Sequence, residues 1–175
     1  MRRFAADCPP GPVLEIGCGP AAHIGRYLAD LGRRVVGIDL SENGLRVAHR
    51  LNPTMPLLTA DMRALPMRSD SSAGVVAFYS MIYEAADRVS AALAEFRRVL
   101  RRGGALLIAV HAGEGTQHFD DYKGIAVDIT LHYRTPDVFA ELVRQAGFTL
   151  GACEVRPPYP FEHATNRLYI AAVAE

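Results

Sequence analysis

The chain has 175 residues, half of them apolar and 22% charged, which suits one domain with a single sizeable core and leaves little room for a second. Nineteen Lys and Arg balance nineteen Asp and Glu, so no net field selects a nucleic acid or an anionic membrane. The pairs Arg33-Arg34, Arg97-Arg98 and Arg101-Arg102 are scattered and read as solvated helix ends. No apolar run approaches a membrane span, and Met1-Arg2-Arg3-Phe4 lacks the apolar core of a signal peptide, so the cytoplasm is the expected compartment. The three cysteines, Cys8, Cys18 and Cys153, show no metal spacing.

Val13-Leu14-Glu15-Ile16-Gly17 is a short apolar run between Pro12 and Gly19-Pro20 and reads as a buried strand. A helix is expected over 21–31, with Pro20 in its first turn and Gly32 past its end. Arg34 to Asp39 is a second strand, after which Ser41 caps a helix that runs to about Leu51 and closes at Asn52-Pro53. A short third strand fits 56–59. A fourth, over 73–79, is nearly all apolar and so covered on both faces. From Asp87 to Arg102 the period is helical, with Leu93, Phe96, Val99 and Leu100 on one side, and Gly103-Gly104 leads into a fifth strand over 105–110.

Strands alternating with helices predict a parallel sheet with helices on both faces. After Val110 the rhythm changes. Residues 111–133 mix Gly, Asp, His and Tyr and read as an aromatic-lined flap, part of which, 125–131, alternates like an extended strand. Pro136 to Ala146 is a helix closed by Gly147. Two strands follow, 148–155 and 167–174, joined through Pro157-Pro158-Tyr159-Pro160 without a helix, which predicts an antiparallel pair. Glu162 and His163 in that connection read as surface loop residues.

A strand that enters a glycine turn and then a helix makes a polar-ligand site, because small residues let backbone N–H groups approach. Gly17 and Gly19 supply this loop, and Cys18 between them reads as a small packing residue rather than a nucleophile. Asp39, ending the second strand, stands where an acid accepts from two ribose hydroxyls. A nicotinamide dinucleotide would be served equally well, and Ala22 would complete its pattern. Glu15 ahead of the glycines disfavours a pyrophosphate and suits a cationic sulfonium. Asp61-Met62 adds an acceptor for an adenine amino group and an apolar side chain for its ring.

The segments 13–19, Val36-Gly37-Ile38-Asp39-Leu40-Ser41, Ala60-Asp61-Met62 and 95–104 (Glu-Phe-Arg-Arg-Val-Leu-Arg-Arg-Gly-Gly) follow one another as motifs do in class I S-adenosylmethionine-dependent methyltransferases. The chain resembles that family, and more narrowly its small-molecule type 11 group. The resemblance implies an α/β, Rossmann-like sheet of seven strands in the order 3-2-1-4-5-7-6 with strand 7 antiparallel, in one domain over 1–175. It implies S-adenosylmethionine as cofactor and S-adenosylhomocysteine as product. Gly17 and Gly19 would pass under the methionine moiety, Glu15 would organise the loop, and Asp39 would hold the ribose with Leu40 near the adenine. Asp61 and Met62 would fix the adenine, and Tyr79 or Ser80 would lend a carbonyl to the methionine amino group. Two departures stand out: Ala21 occupies a position that is often glycine, and the helical lid that usually precedes the first strand is reduced.

Methyl transfer is an in-line displacement, so alignment supplies much of the rate and a base is needed only when the acceptor must lose a proton. The acceptor site is expected beyond strands four and five, with 111–133 facing the substrate. His111 is the leading candidate for a base, and Tyr83 stands where relatives often carry His. His118 and His132 lack the spacing of a metal set, so no metal is expected. The expected partner is a small-molecule acceptor, with the chain a monomer or homodimer. Two other readings stay open: a non-catalytic S-adenosylmethionine-binding module or partner subunit, and an NAD-dependent oxidoreductase resting on Gly17, Gly19, Ala22 and Asp39.

Overall fold

The computed structural model describes residues 1–122 and 124–175, and Lys123, within the expected 111–133 flap, lies outside the described residues. Seven strands form one sheet: β1 (Pro12–Ile16), β2 (Arg34–Asp39), β3 (Leu57–Thr59), β4 (Ser72–Phe78), β5 (Leu100–Ala112), β8 (Phe148–Arg156) and β9 (Asn166–Ala174). Their order is β3-β2-β1-β4-β5-β9-β8, with β9 antiparallel to both neighbours. This is the expected order once β6 (Thr116–Tyr122) and β7 (Ile125–His132) are set apart as a separate antiparallel ribbon. The alternation over 125–131 pointed to β7, while its partner β6 carries no such alternation.

Central strands alternate between two buried layers. On one face Leu106, Ile108 and Val110 of β5 pack with Leu93 and Phe96 of α4 (Ala86–Val99) and with Phe139 and Val143 of α5 (Pro136–Gln145). On the other, Val13 and Val76 pack with Leu28 of α2 (His23–Asp30), Leu45 of α3 (Glu42–Leu51) and Phe4 of α1 (Arg2–Asp7). Burying both layers removes most of the large apolar side chains from water, which is the main force holding the sheet and helices together. Among the described residues no helix is long and apolar enough to cross a membrane.

Three local expectations change. First, α2 begins at His23, because Ala22 takes a left-handed conformation (φ 43°) and Pro20 belongs to the preceding turn. Second, α4 ends at Val99: Leu100 is fully buried and extended, pairing with Ser72, so tertiary pairing overrides the helical period. Third, at least one arginine of each pair clamps carbonyls, while Arg34 and Arg102 stay exposed as expected. Arg98 donates to the carbonyls of Leu65 (2.9 Å) and Met67 (2.7 Å), Arg33 to that of Pro9, and Arg101 to that of Pro10. The five fixed donors of guanidinium suit loops rich in unpaired carbonyls.

Candidate functional site

The loop after β1 is shaped by close approach. Gly17 (φ 68°) leaves no room for a side chain, since a Cβ there would lie 2.2 Å from that of Ser80. Gly17 and Cys18 both donate to the Ile38 carbonyl, at 2.7 and 3.0 Å, tying the loop to β2. Asp39 sits between loop and helix: Oδ2 accepts from Gly19 N (2.8 Å) and Oδ1 from Ser41 N (2.9 Å). Ser41 Oγ in turn accepts from Gly44 N at 3.0 Å, the N-cap expected for α3. A carboxylate has about four lone-pair sites, so Asp39 keeps capacity for a ligand's hydroxyls.

Beyond the ends of β1, β2 and β4 lies a cavity of about 460 Å³. It brings together Gly17, Gly19, Asp39, Leu40, Asp61, Met62, Tyr79, Ser80 and Tyr83, all picked out from the sequence. It adds Ile16, Ile38, Ala60, Arg63, Glu84 and Arg88. A larger hollow of about 760 Å³ beside α3 and β3 gathers none of the motif residues.

Two expected residues do not line the cavity. The Glu15 carboxylate turns away from it and accepts from Gly25 N in the first turn of α2 (2.8 Å). Burial pushes it up to about 7. Glu15 therefore ties β1 to the first turn of α2 and does not line the cavity. Cys18 is buried with its sulfur against Gly37, and burial pushes its thiol up to about 12, which suits packing.

Asp61 is already engaged. Arg63 donates to Oδ1 from its backbone N (2.8 Å) and Nε (2.9 Å), and to Oδ2 from Nη2 (2.5 Å). These bonds hold the Asp61 carboxyl down at about 2. Two other polar atoms of the cavity residues, Ser80 Oγ and Glu84 Oε2, are buried with no hydrogen-bond partner among the described residues. Glu84 follows the fourth strand with Tyr79, Met81 and Tyr83, where the sequence places candidates for the acceptor site.

A second group of side chains stands beside the cavity, over β5, β9 and β8. The register pairs His111 with Arg167 and Arg167 with Arg156, so the three form one row across the sheet. His111 is 7% exposed, and burial, with Arg167 and His163 nearby, pushes it down to about 4. Its Nδ1 lies 2.8 Å from Thr165 Oγ1, and its ring is 5.3 Å from that of Tyr79. Tyr79 has φ 54°, an uncommon conformation for a bulky residue, and its hydroxyl lies 3.1 Å from that of Tyr169.

Glu162 and His163 stay in the loop between β8 and β9 as expected, half-buried and exposed respectively, but both have partners. Glu162 accepts two bonds from Arg156 (2.7 and 2.8 Å), which hold its carboxyl at about 2, and the His163 ring lies 5.8 Å from that of His111. Tyr83 lines the cavity and is 54% exposed. His118 pairs with Thr130 across the hairpin (3.2 Å), and among the described residues no three His, Cys, Asp or Glu gather as a metal set.

A family model described as a methyltransferase domain matches residues 13–104. The malonyl-[acyl-carrier protein] O-methyltransferase of Serratia marcescens is 30% identical over 109 residues, 62% of this chain and 42% of the relative. The chain thus spans less than half the length of that curated relative. A solved S-adenosylmethionine-dependent methyltransferase from Methanosarcina mazei has a TM-score of 0.83 at 19% identity, covering 94% of this chain and 92% of the other. The glycopeptide N-methyltransferase MtfA, solved with S-adenosyl-L-methionine, has a TM-score of 0.74 at 20% identity over 99% of this chain and 92% of its own. At such identities the structural likeness shows the fold. The family match is independent of it and takes in the glycine loop, Asp39, Asp61 and the strand-four turn. The chain belongs to the methyltransferase-domain family, in its class I, S-adenosylmethionine-dependent form.

Proposed function

We propose that the chain binds S-adenosylmethionine in the cavity beyond β1, β2 and β4 and passes its methyl group to a small-molecule acceptor. The observation that carries this reading is the convergence of the glycine loop, Asp39 and Asp61, from three different strand ends, on one cavity of about 460 Å³ walled by Ile16, Ile38, Leu40 and Met62. An apolar-walled cavity with a few convergent polar groups is the usual form of a site for a small organic ligand.

The residues present fit that ligand. Gly17 and Gly19 would carry the methionine end, with the carbonyl of Tyr79 or Ser80 and the Glu84 carboxylate toward its amino group. Asp39 would take the ribose, Leu40 and Met62 the faces of the adenine, and Asp61 the adenine amino group. When bound, the cofactor supplies an electrophilic methyl carbon. The chain's own part is to hold the acceptor in line with it and keep water out. The β6–β7 hairpin, within the 111–133 segment, would wall the acceptor side; Phe119 already meets His163 at 6.2 Å between ring centres. A single domain over 1–175, cytoplasmic, monomeric or dimeric and without nucleic acid, completes the reading.

Titration calorimetry with S-adenosylmethionine and S-adenosylhomocysteine tests it. Binding of both is expected, and absence of heat at millimolar ligand would sink the reading. Binding without transfer of labelled methyl to any acceptor would leave only the non-catalytic module.

A further inference from the structure

The row over β5, β9 and β8 contains two chains of hydrogen bonds, each starting at an arginine. Arg156 Nη2 donates to Tyr169 Oη (3.0 Å), and Tyr169 Oη meets Tyr79 Oη at 3.1 Å. Arg167 Nη1 donates to Thr165 Oγ1 (2.7 Å), and Thr165 Oγ1 meets His111 Nδ1 at 2.8 Å. Guanidinium has donors and no acceptor, so the first bond of each chain has a fixed direction. A hydroxyl that accepts from a cation is a stronger donor and a weaker acceptor for its next neighbour. With that polarisation Tyr169 would give its one hydrogen to Tyr79, and Thr165 would give its own to His111 Nδ1. Each chain ends on a hydrogen with no partner among the described residues: the Tyr79 O–H and, in a neutral imidazole whose Nδ1 accepts, the His111 Nε2–H. The two rings are neighbours at 5.3 Å, and Tyr79 also lines the cofactor cavity.

We propose that Tyr79 and His111 form a two-donor clamp for the carboxylate of the methyl acceptor, and that His111 acts there as a hydrogen-bond donor and not as a base. The proposal rests on the methyl-transfer reading and names its substrate class. A carboxylate is already ionised at neutral pH, so its oxygen attacks the methyl carbon without losing a proton. One C–O bond forms, the S–CH₃ bond breaks, its electron pair stays on sulfur, and the products are a methyl ester and a thioether. Within this row the lone pairs able to take a proton are committed, His111 Nδ1 to Thr165 and the Glu162 carboxylate to Arg156. Two arginines against one glutamate leave the row with an excess positive charge, which favours an anionic acceptor over a cationic one.

Nitrogen-15 spectra of the His111 imidazole at neutral pH test the clamp without any substrate. The expected signal is protonated Nε2 and bare Nδ1, becoming a tautomer mixture in Thr165→Val; protonated Nδ1 in the unaltered protein would overturn the clamp. The second arm offers matched carboxylates, phenols and amines with labelled S-adenosylmethionine. Carboxylates are expected to yield methyl esters. His111→Gln, which keeps an N–H near Nε2, should lose less than about tenfold in kcat/KM, while His111→Ala loses about a hundredfold. Tyr169→Phe, acting through Tyr79, should raise KM for the carboxylate with little change in kcat. Transfer to phenols or amines but not carboxylates would overturn the clamp and leave methyl transfer standing; a chain that binds no cofactor would overturn the broader reading instead.

Discussion

The two halves of the sheet's C-terminal edge are built in different ways. At the proposed cofactor end the cavity residues sit in short turns directly after β1, β2, β3 and β4, and each turn holds its own residue: Gly17 by its left-handed φ, Asp39 by Gly19 and Ser41, Asp61 by Arg63. At the proposed acceptor end, Tyr79, His111, Arg156, Thr165 and Tyr169 come from separate parts of the chain. They meet only because antiparallel β9 sets Arg167 opposite both His111 and Arg156. Chemistry common to a family can reside in local turns, whereas chemistry that selects one acceptor depends on long-range register. The cofactor end should therefore fail by single local changes, and the acceptor end by changes that leave the cofactor untouched.

The largest effect is expected at Gly17. Alanine there meets Ser80 Cβ at 2.2 Å and must adopt φ 68°, so Gly17→Ala should cost about 3 kcal/mol or more of stability, or shift the loop and abolish cofactor binding. Denaturant melts and calorimetry on the same sample separate the two. The counterpart is Arg167→Met. Arg167 is 4% exposed and bonds to Thr165 and to the His163 carbonyl (3.0 Å), so its loss should also cost about 3 kcal/mol. Cofactor affinity should nevertheless change by less than about twofold, because Arg167 does not line the cavity and meets it only through the Tyr79 ring, 5.8 Å from its guanidinium. A tenfold loss would break the division between the two ends.

Glu15 offers a pH test of the cofactor end alone. Burial raises its folded-state pKa to about 7, above the ordinary 4.5, so between those values the native state holds a proton that the unfolded chain has released. The stabilisation is complete below about pH 4.5 and is lost as pH rises through about 7. Glu15→Gln should match the native protein near pH 4.5 and exceed it at pH 8, by at most about 3 kcal/mol. Equal urea midpoints for the two proteins at both pH values would show that Glu15 is not the buried acid inferred here. At Asp39 the expected loss is smaller: Asp39→Ala removes an acceptor for two backbone donors and a ligand, weakening S-adenosylmethionine by more than about 1 kcal/mol. Unchanged affinity would move the ribose elsewhere.

The same contrast explains what could be read in the sequence. The alternation of strands and helices, the antiparallel last pair and the glycine loop were legible because short turns and helix-free connections leave local marks, whereas the strand order followed from the resemblance of the motifs to a known family. The direction of Glu15 was not: β1 is buried on both faces, so alternation does not say which way a carboxylate turns. Leu100 continued the period of α4, and only its pairing with Ser72 made it a strand residue. Glu162 and His163 looked like hairpin surface because their partners, Arg156 and His111, are set by register. Arg63 lay two residues from Asp61 in plain view, but nothing local says that it folds back on that carboxylate.

Arg63 gives the smallest expected effect and the sharpest test of how a turn holds its own residue. Its side-chain nitrogens reach both oxygens of Asp61 and hold that carboxyl at about 2, so Asp61 is ionised at any pH where the protein works. The folded pKa is depressed, so the associated stabilisation is present above the ordinary carboxylate range and is lost as pH falls through about 2. The pair is partly exposed, and such ion pairs contribute little by themselves. What Arg63 fixes is orientation, leaving a remaining lone pair of Asp61 for the adenine amino group. Arg63→Met should bring the Asp61 carboxyl back toward the ordinary range near 4 in a carbon-13 titration, while S-adenosylmethionine and S-adenosylhomocysteine both weaken by less than about threefold. Tighter binding in the variant would mean that Arg63 competes with the adenine for Asp61, and the turn after β3 would then have to open before the cofactor could enter.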